Sequence, residues 1–178
     1  SIFPLLFALL FAFPAISQDA PKRELRGIWI STIQNLDWPP QKGLWKQAQK
    51  DAFISLLNQH QASGINAIFV QIRPASDAFY RKGKEPWSEW LMGEQDKKPW
   101  YDPLKFMVEE AHKRGIEFHA WLNPFRAISN KEKDNISKNH ISKKHPEWMV
   151  DYYKGTYINP GIPDARKYIV ELVTNIAR

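Results

Sequence analysis

The chain contains no cysteine. Disulfide bridges and thiolate metal sites are therefore excluded, and the absence is compatible with any compartment. No Gly-x-Gly-x-x-Gly run and no Gly-x4-Gly-Lys-Ser/Thr run occurs, so the usual phosphate-cradling loops are missing. No spacing of His, Asp and Glu resembles a metal site, and neither metal nor cofactor is expected. No apolar run reaches the ~20 residues of a comfortable membrane span. One internal segment repeats loosely, but no third copy follows, which excludes a solenoid.

The most apolar stretch is residues 1–17, uncharged and ending in Ala15-Ile16-Ser17. Small residues at the −3 and −1 positions before Gln18 read as a secretory cleavage site. The basic start and the initiator Met are missing, so the sequence reads as clipped at its beginning. An uncleaved anchor is the alternative. A secreted or periplasmic protein is expected, with no stable membrane span once the signal is removed. Residues 18–24 read as a short linker and 25–178 as one incomplete domain.

Abundance points elsewhere. There are 8 Trp, 10 Phe and 6 Tyr among 178 residues, with net charge +6. The lysines and arginines are scattered among acids, and the densest group, residues 131–144, reads as a solvated loop or helix face. This is not the footprint of a nucleic-acid partner. Aromatic planes beside Arg and Asn suit sugar rings, which present apolar faces rimmed by hydroxyls. Core packing is the competing use for each tryptophan.

Residues 114–126 set the grammar of the chain. A helix-like run stops at Gly115, an apolar strand runs from 116 to 122, and Asn123, Pro124, Phe125 and Arg126 form a polar tip. Residues 63–74 repeat it: Gly64, a strand over 65–72, then Arg73-Pro74. A first strand lies over 25–32, with a loop to Pro40. Trp45, Ala48, Ala52, Phe53, Leu56, Leu57 and His60 keep helical spacing over 44–62. Residues 73–101 form a long aromatic loop. Asp102-Pro103 opens a second helix, carried by Leu104, Met107, Val108 and Ala111. Residues 127–144 read as a lid-like excursion with some helix, 145–150 as the approach to a short extended piece, and 153–156 as a turn. Ala165, Ile169, Leu172, Val173 and Ile176 mark a third helix, with Asp164 in its first turn.

Three strand–helix units in series imply an α/β fold with a parallel sheet and right-handed crossovers. Long loops after each strand favour a TIM-type (β/α)8 barrel over a doubly wound sheet. A barrel needs eight strands, so the chain reads as the truncated N-terminal portion of one, about three βα units.

Several motifs then carry a resemblance. Glu24-Leu25-Arg26-Gly27-Ile28-Trp29-Ile30, Asn35-Leu36-Asp37-Trp38-Pro39, Gly64-Ile65-Asn66-Ala67-Ile68-Phe69-Val70-Gln71-Ile72-Arg73-Pro74-Ala75-Ser76-Asp77-Ala78, Glu85-Pro86-Trp87-Ser88, Tyr101-Asp102-Pro103-Leu104 and His119-Ala120-Trp121-Leu122-Asn123-Pro124-Phe125-Arg126 follow in order. Asn159-Pro160-Gly161 precedes the third helix. From about Lys22 onward the chain resembles the glycosyl hydrolase-like 10 family, formerly domain of unknown function 187. The resemblance implies a TIM-type barrel and hydrolysis of O-glycosides outside the cytoplasm. For some members the substrate is peptidoglycan glycan strands stripped of stem peptides. It also implies an acidic Asp-Gly-x-x-x-Asp-Asp-Tyr-type motif after the fourth strand, which would begin just beyond Arg178.

Glycosidases use two carboxyls flanking the scissile bond. The strand-tip candidates here are Asp37 and Asp77, though Asp77 four residues after Arg73 also reads as an Arg–Asp pair holding the loop. Arg73, Asp77, Trp121, Asn123, Arg126 and Asn159 are the substrate-binding candidates, since Asn offers donor and acceptor and Arg a planar fork. Glu85 and Glu89 stand in a tryptophan-rich loop suited to sugar contact. Trp121 serves as core or as stacking platform. His119 reads as an interior histidine, not a metal ligand. A non-catalytic carbohydrate-binding domain is the alternative. A cytoplasmic phosphosugar or nucleotide enzyme is disfavoured by the missing phosphate loops.

Overall fold

The structure, a computed structural model, describes residues 24–81, 83–130 and 135–178. The expected signal at 1–17 and all but the last residue of the linker lie outside the described residues, as does the 131–134 part of the basic stretch.

Strand β1 (Gly27–Ile30) is followed by a single 3-10 turn at Ile33–Asn35, helix α1 (Lys46–Ala62) and strand β2 (Ala67–Arg73). A short helix α2 (Glu89–Met92) and helix α3 (Pro103–His112) lead to strand β3 (Glu117–Leu122). The three strands form a parallel sheet in the order β1-β2-β3, as the repeated grammar requires. Both helix stops work as expected: Gly64 (φ +78°) and Gly115 (φ +68°) hold the left-handed turn that closes α1 and α3. Asp102 caps α3 by accepting from the Lys105 amide at 3.2 Å.

Helix α1 turns inward the face its apolar spacing suggests over its later turns, with Ala52 and Leu56 packed beside the core, and departs from it only at its start. Phe53 and Leu57 are buried as expected, but Gln49 joins them one turn earlier, while Trp45 and Ala48 stay exposed. Gln49 is tolerated because all its polar atoms are matched. Its Nε2 donates to the Leu44 and Leu91 carbonyls at 2.8 and 3.0 Å, and its Oε1 accepts from Tyr101 Oη at 2.8 Å. The Trp38 indole donates to its backbone carbonyl. One buried amide thus ties the β1 loop, α1, α2 and the start of α3 together.

The sheet has two unlike faces. Ile28, Ile30, Ile68, Val70, Ile72 and Phe118 pack with the helices into the main core. The opposite face carries Trp29, Phe69, His119 and Trp121. Trp29 and His119 stack on either side of Phe69, with centroids 4.9 and 4.6 Å away, and Trp29 meets Trp121 edge-on. Gly27 makes room for this layer, because a Cβ there would stand 2.8 Å from the Phe69 ring.

Beyond β3 the chain departs from a simple excursion. Strand β4 (Arg126–Ile128), helix α4 (Ile141–Lys144), strand β5 (Met149–Tyr152) and strand β6 (Gly155–Ile158) precede helix α5 (Pro163–Ala177). The strands make a second, antiparallel sheet in the order β4-β6-β5. Ala127, Ile141, Trp148, Ile158, Ala165 and Ile169 form a second core beneath it. A lid-like excursion with some helix was expected over 127–144; α4 supplies the helix, but residues 126–128 are a sheet strand. Three residues are too few to show a period of two, which is why the pattern is silent there. Among the described residues, no helix is long and apolar enough to cross a membrane.

Candidate functional site

The loops at the carboxyl ends of β2 and β3 meet around one buried guanidinium. The last residue of β2, Arg73, has a fully enclosed side chain. Its Nε and Nη2 donate to the two oxygens of Glu85 at 2.8 and 2.6 Å, a two-pronged ion pair. Nη2 also donates to Ser76 Oγ at 2.8 Å. Nη1 donates to the carbonyls of Asn123 and Pro124 just past β3. Glu85 accepts two more bonds, from Tyr80 Oη at 3.1 Å and from Tyr168 Oη of α5 at 3.0 Å. Ser76 passes the contact onward by donating to the Arg126 carbonyl. This is how a buried charge pair becomes tolerable: every direction around it is filled by a partner.

The electrostatics follow from that geometry. Burial alone would lower the Arg73 pKa, but the Glu85 carboxylate outweighs it and the guanidinium is held above its ordinary value. Burial, and then Glu85, push the Tyr80 and Tyr168 hydroxyls well above the usual tyrosine range. Both phenols therefore act as fixed donors.

An Arg73–Asp77 pair does not form. Arg73 takes Glu85 instead, because the loop folds back to bring residue 85 under the guanidinium. Asp77 is buried, and its Oδ1 accepts from the Ala75 amide at 3.0 Å. It borders a narrow cleft lined also by Trp90, Gln95, Ala127 and His140. Asp37 stands apart at the β1 tip, exposed, with Oδ2 accepting from the Ser31 amide at 2.7 Å.

Trp121 and Asn123 are joined. The Trp121 indole donates to Asn123 Oδ1 at 3.0 Å, and Asn123 Nδ2 donates to the Pro74 carbonyl at 3.0 Å. Trp121 is half-buried on the aromatic face, leaving ring surface open beside the strand tips. Arg126 is half-buried too, and its guanidinium has no hydrogen-bond or ion-pair partner among the described residues. Asn159 closes its own turn, Oδ1 accepting from the Gly161 amide at 2.8 Å before α5 begins. Glu89 sits in the first turn of α2 with the Lys42 ammonium 3.9 Å away. His119 stacks on Phe69 and faces Glu117 at 3.4 Å. No group of three metal-binding side chains occurs among the described residues.

Three members of the cluster carry no local signal in the sequence. Gln71 Oε1 accepts from the Thr32 and Ile33 amides at 3.1 and 3.0 Å and so shapes the β1 loop. Tyr80 and Tyr168 read as ordinary aromatics until the fold brings them to Glu85.

A parallel βα sheet with its connecting loops at the strand tips defines an α/β protein. Its fold is shared by the α-galactosidase AgaA of Geobacillus stearothermophilus, at TM-score 0.51 and 14% identity over 86% of this chain and 20% of that one. The chain belongs to the glycosyl hydrolase-like 10 family, whose sequence model matches residues 24–178. It is 45% identical over 170 residues to the glycosyl hydrolase YngK of Bacillus subtilis, covering 95% of this chain and 33% of YngK. It is 32% identical over 179 residues to the glycosyl hydrolase DigH of Escherichia coli, covering 92% of this chain and 40% of DigH. The chain thus spans well under half the length of these relatives.

Proposed function

We propose that the protein is an extracytoplasmic glycoside hydrolase acting on a polysaccharide, with peptidoglycan glycan strands as its substrate. The observation that carries this reading is the family match across the whole described fold. The strand-tip geometry supports it. Trp121 offers a ring face, Arg126 a fork without a partner among the described residues, and the Asn123 amide is held still between Trp121 and Pro74. Pre-set donors and aromatic planes are what sugar recognition needs.

In this reading the three βα units open an eight-stranded barrel, and the signal at 1–17 is cleaved before Gln18. Arg73 acts as a positioning residue, since it holds the tips of β2 and β3 in register through Asn123 and Pro124. A hydrolase of this kind needs two carboxyls about 5–9.5 Å apart. Asp77 is enclosed and tied to its own loop, and Asp37 stands at a different strand tip. We therefore place the acid–base pair outside residues 24–178, in the part that makes the relatives longer.

The test is digestion of purified, peptide-free glycan strands by the full-length gene product, with fragments weighed by mass spectrometry. Shortened strands are expected. Strands bound but never shortened would favour the carbohydrate-binding alternative, and strands neither bound nor cut would overturn the reading.

A further inference from the structure

The antiparallel sheet has a solvent face that the strand-tip cluster leaves unexplained. Register puts Arg126 opposite Tyr157 and Tyr157 opposite Val150. Opposed residues project to one side of a sheet, as do residues two apart along a strand, so Tyr152 shares that side. Tyr152 is 74% exposed and meets the Tyr157 ring edge-on at 6.4 Å. At the hairpin tip Tyr153 is 83% exposed, with the Lys154 ammonium 5.9 Å from its ring. A continuous face runs from the β3 tip at Arg126 to the hairpin turn.

Tyr153 stands at φ +50° in the two-residue loop joining Tyr152 to Gly155. Such loops place Gly, Asn or Asp where φ is positive. A large ring sits there with most of its surface in water, so packing does not explain it. The one acid of the hairpin, Asp151, projects to the other side, where it accepts from Thr156 Oγ1 at 2.7 Å. The solvent face thus offers rings and two cations. That combination fits the apolar faces of pyranose units bearing carboxylate substituents.

We propose that the face formed by Arg126, Tyr157, Tyr152 and Tyr153 is an outlying subsite for a linear anionic polysaccharide, holding sugar units beyond those at the strand tips. The proposal rests on the hydrolase reading above. The test uses the full-length protein with Tyr152→Ala and Tyr153→Gly, assayed on long peptide-free glycan strands and on tetrasaccharide fragments of them. Tyr153→Gly removes the ring while relieving the backbone, so it melts no lower than the unmodified protein. On long strands KM rises about three- to tenfold per lost ring with kcat unchanged. On tetrasaccharides both constants stay the same, and Tyr152→Trp restores KM on long strands. Unchanged KM on long strands would overturn the subsite and leave the face to a protein partner. Equal losses on long and short substrates would also overturn it. Absence of any glycan turnover by the unmodified protein would instead overturn the hydrolase reading, and the subsite with it.

Discussion

Arg73 shows how one side chain can hold a site it does not line. Its guanidinium joins Glu85, Ser76 and two β3-tip carbonyls, and no part of it meets solvent. Removing one partner of a buried pair strands the other charge, at a loss of about 3–5 kcal/mol. Glu85→Gln in the full-length protein should lose stability on that scale, read from its urea midpoint. Arg73→Met combined with Glu85→Gln should recover part of it, because no charge then remains buried. The two tyrosines at Glu85 set a pH limit. Their folded pKa values lie above the unfolded value of about 10, so the native state keeps protons that the unfolded chain releases. Their contribution is complete below pH ~10 and is lost as pH rises beyond it. A melting series from pH 8 to 11.5 should fall at its alkaline end, and less steeply in Tyr80→Phe. The pairing of Arg73 was not legible from spacing alone. Asp77 is four positions away and Glu85 twelve, and only the folded loop decides between them.

At the level of elements, local chemistry was readable wherever it repeats. Gly64 and Gly115 end helices because a left-handed residue is needed there, and α3 starts at a capping aspartate followed by proline. A Cβ at Gly115 would meet nothing within 4 Å, so Gly115→Ala tests backbone conformation alone. The expected loss is about 1–2 kcal/mol by chemical denaturation. Helix α1 was readable in extent and along most of its buried face, but not at its first buried turn, which uses an amide. Gln49→Leu should destabilise in spite of its added apolar surface. It orphans the Tyr101 hydroxyl, at about 1–3 kcal/mol for a buried group left unpaired, while the Leu91 carbonyl keeps the Gly43 amide at 2.9 Å. The antiparallel sheet stayed hidden for a related reason: β4 is short, and three of the four β5 residues are exposed. Those strands are specified by their pairing and by the second core below them.

On the scale of the whole molecule, the parallel sheet has one face that its own helices do not cover. Trp29 is 59% exposed there, beside Phe69, His119 and Trp121. Three parallel strands with such a face and two open edges invite association. Residues 24–178 produced alone should bind a hydrophobic dye and aggregate at micromolar concentration. A soluble monomer with one sharp melt would contradict this. The α/β class was legible because βα units repeat along the chain. The joining of the two cores through Glu85 was not, since it depends on a contact across the whole fold.

The bond from Tyr168 to Glu85 spans 83 positions. During synthesis the ribosome must therefore add the entire antiparallel sheet and half of α5 before Glu85 receives its last donor. At ordinary elongation rates that interval is about 4–17 s. Throughout it, the Arg73–Glu85 pair can form with its own loop, but water must stand in for Tyr168. The nascent chain thus completes its most buried charge only when α5 docks. That step gives chaperones a window in which the half-made core is still accessible.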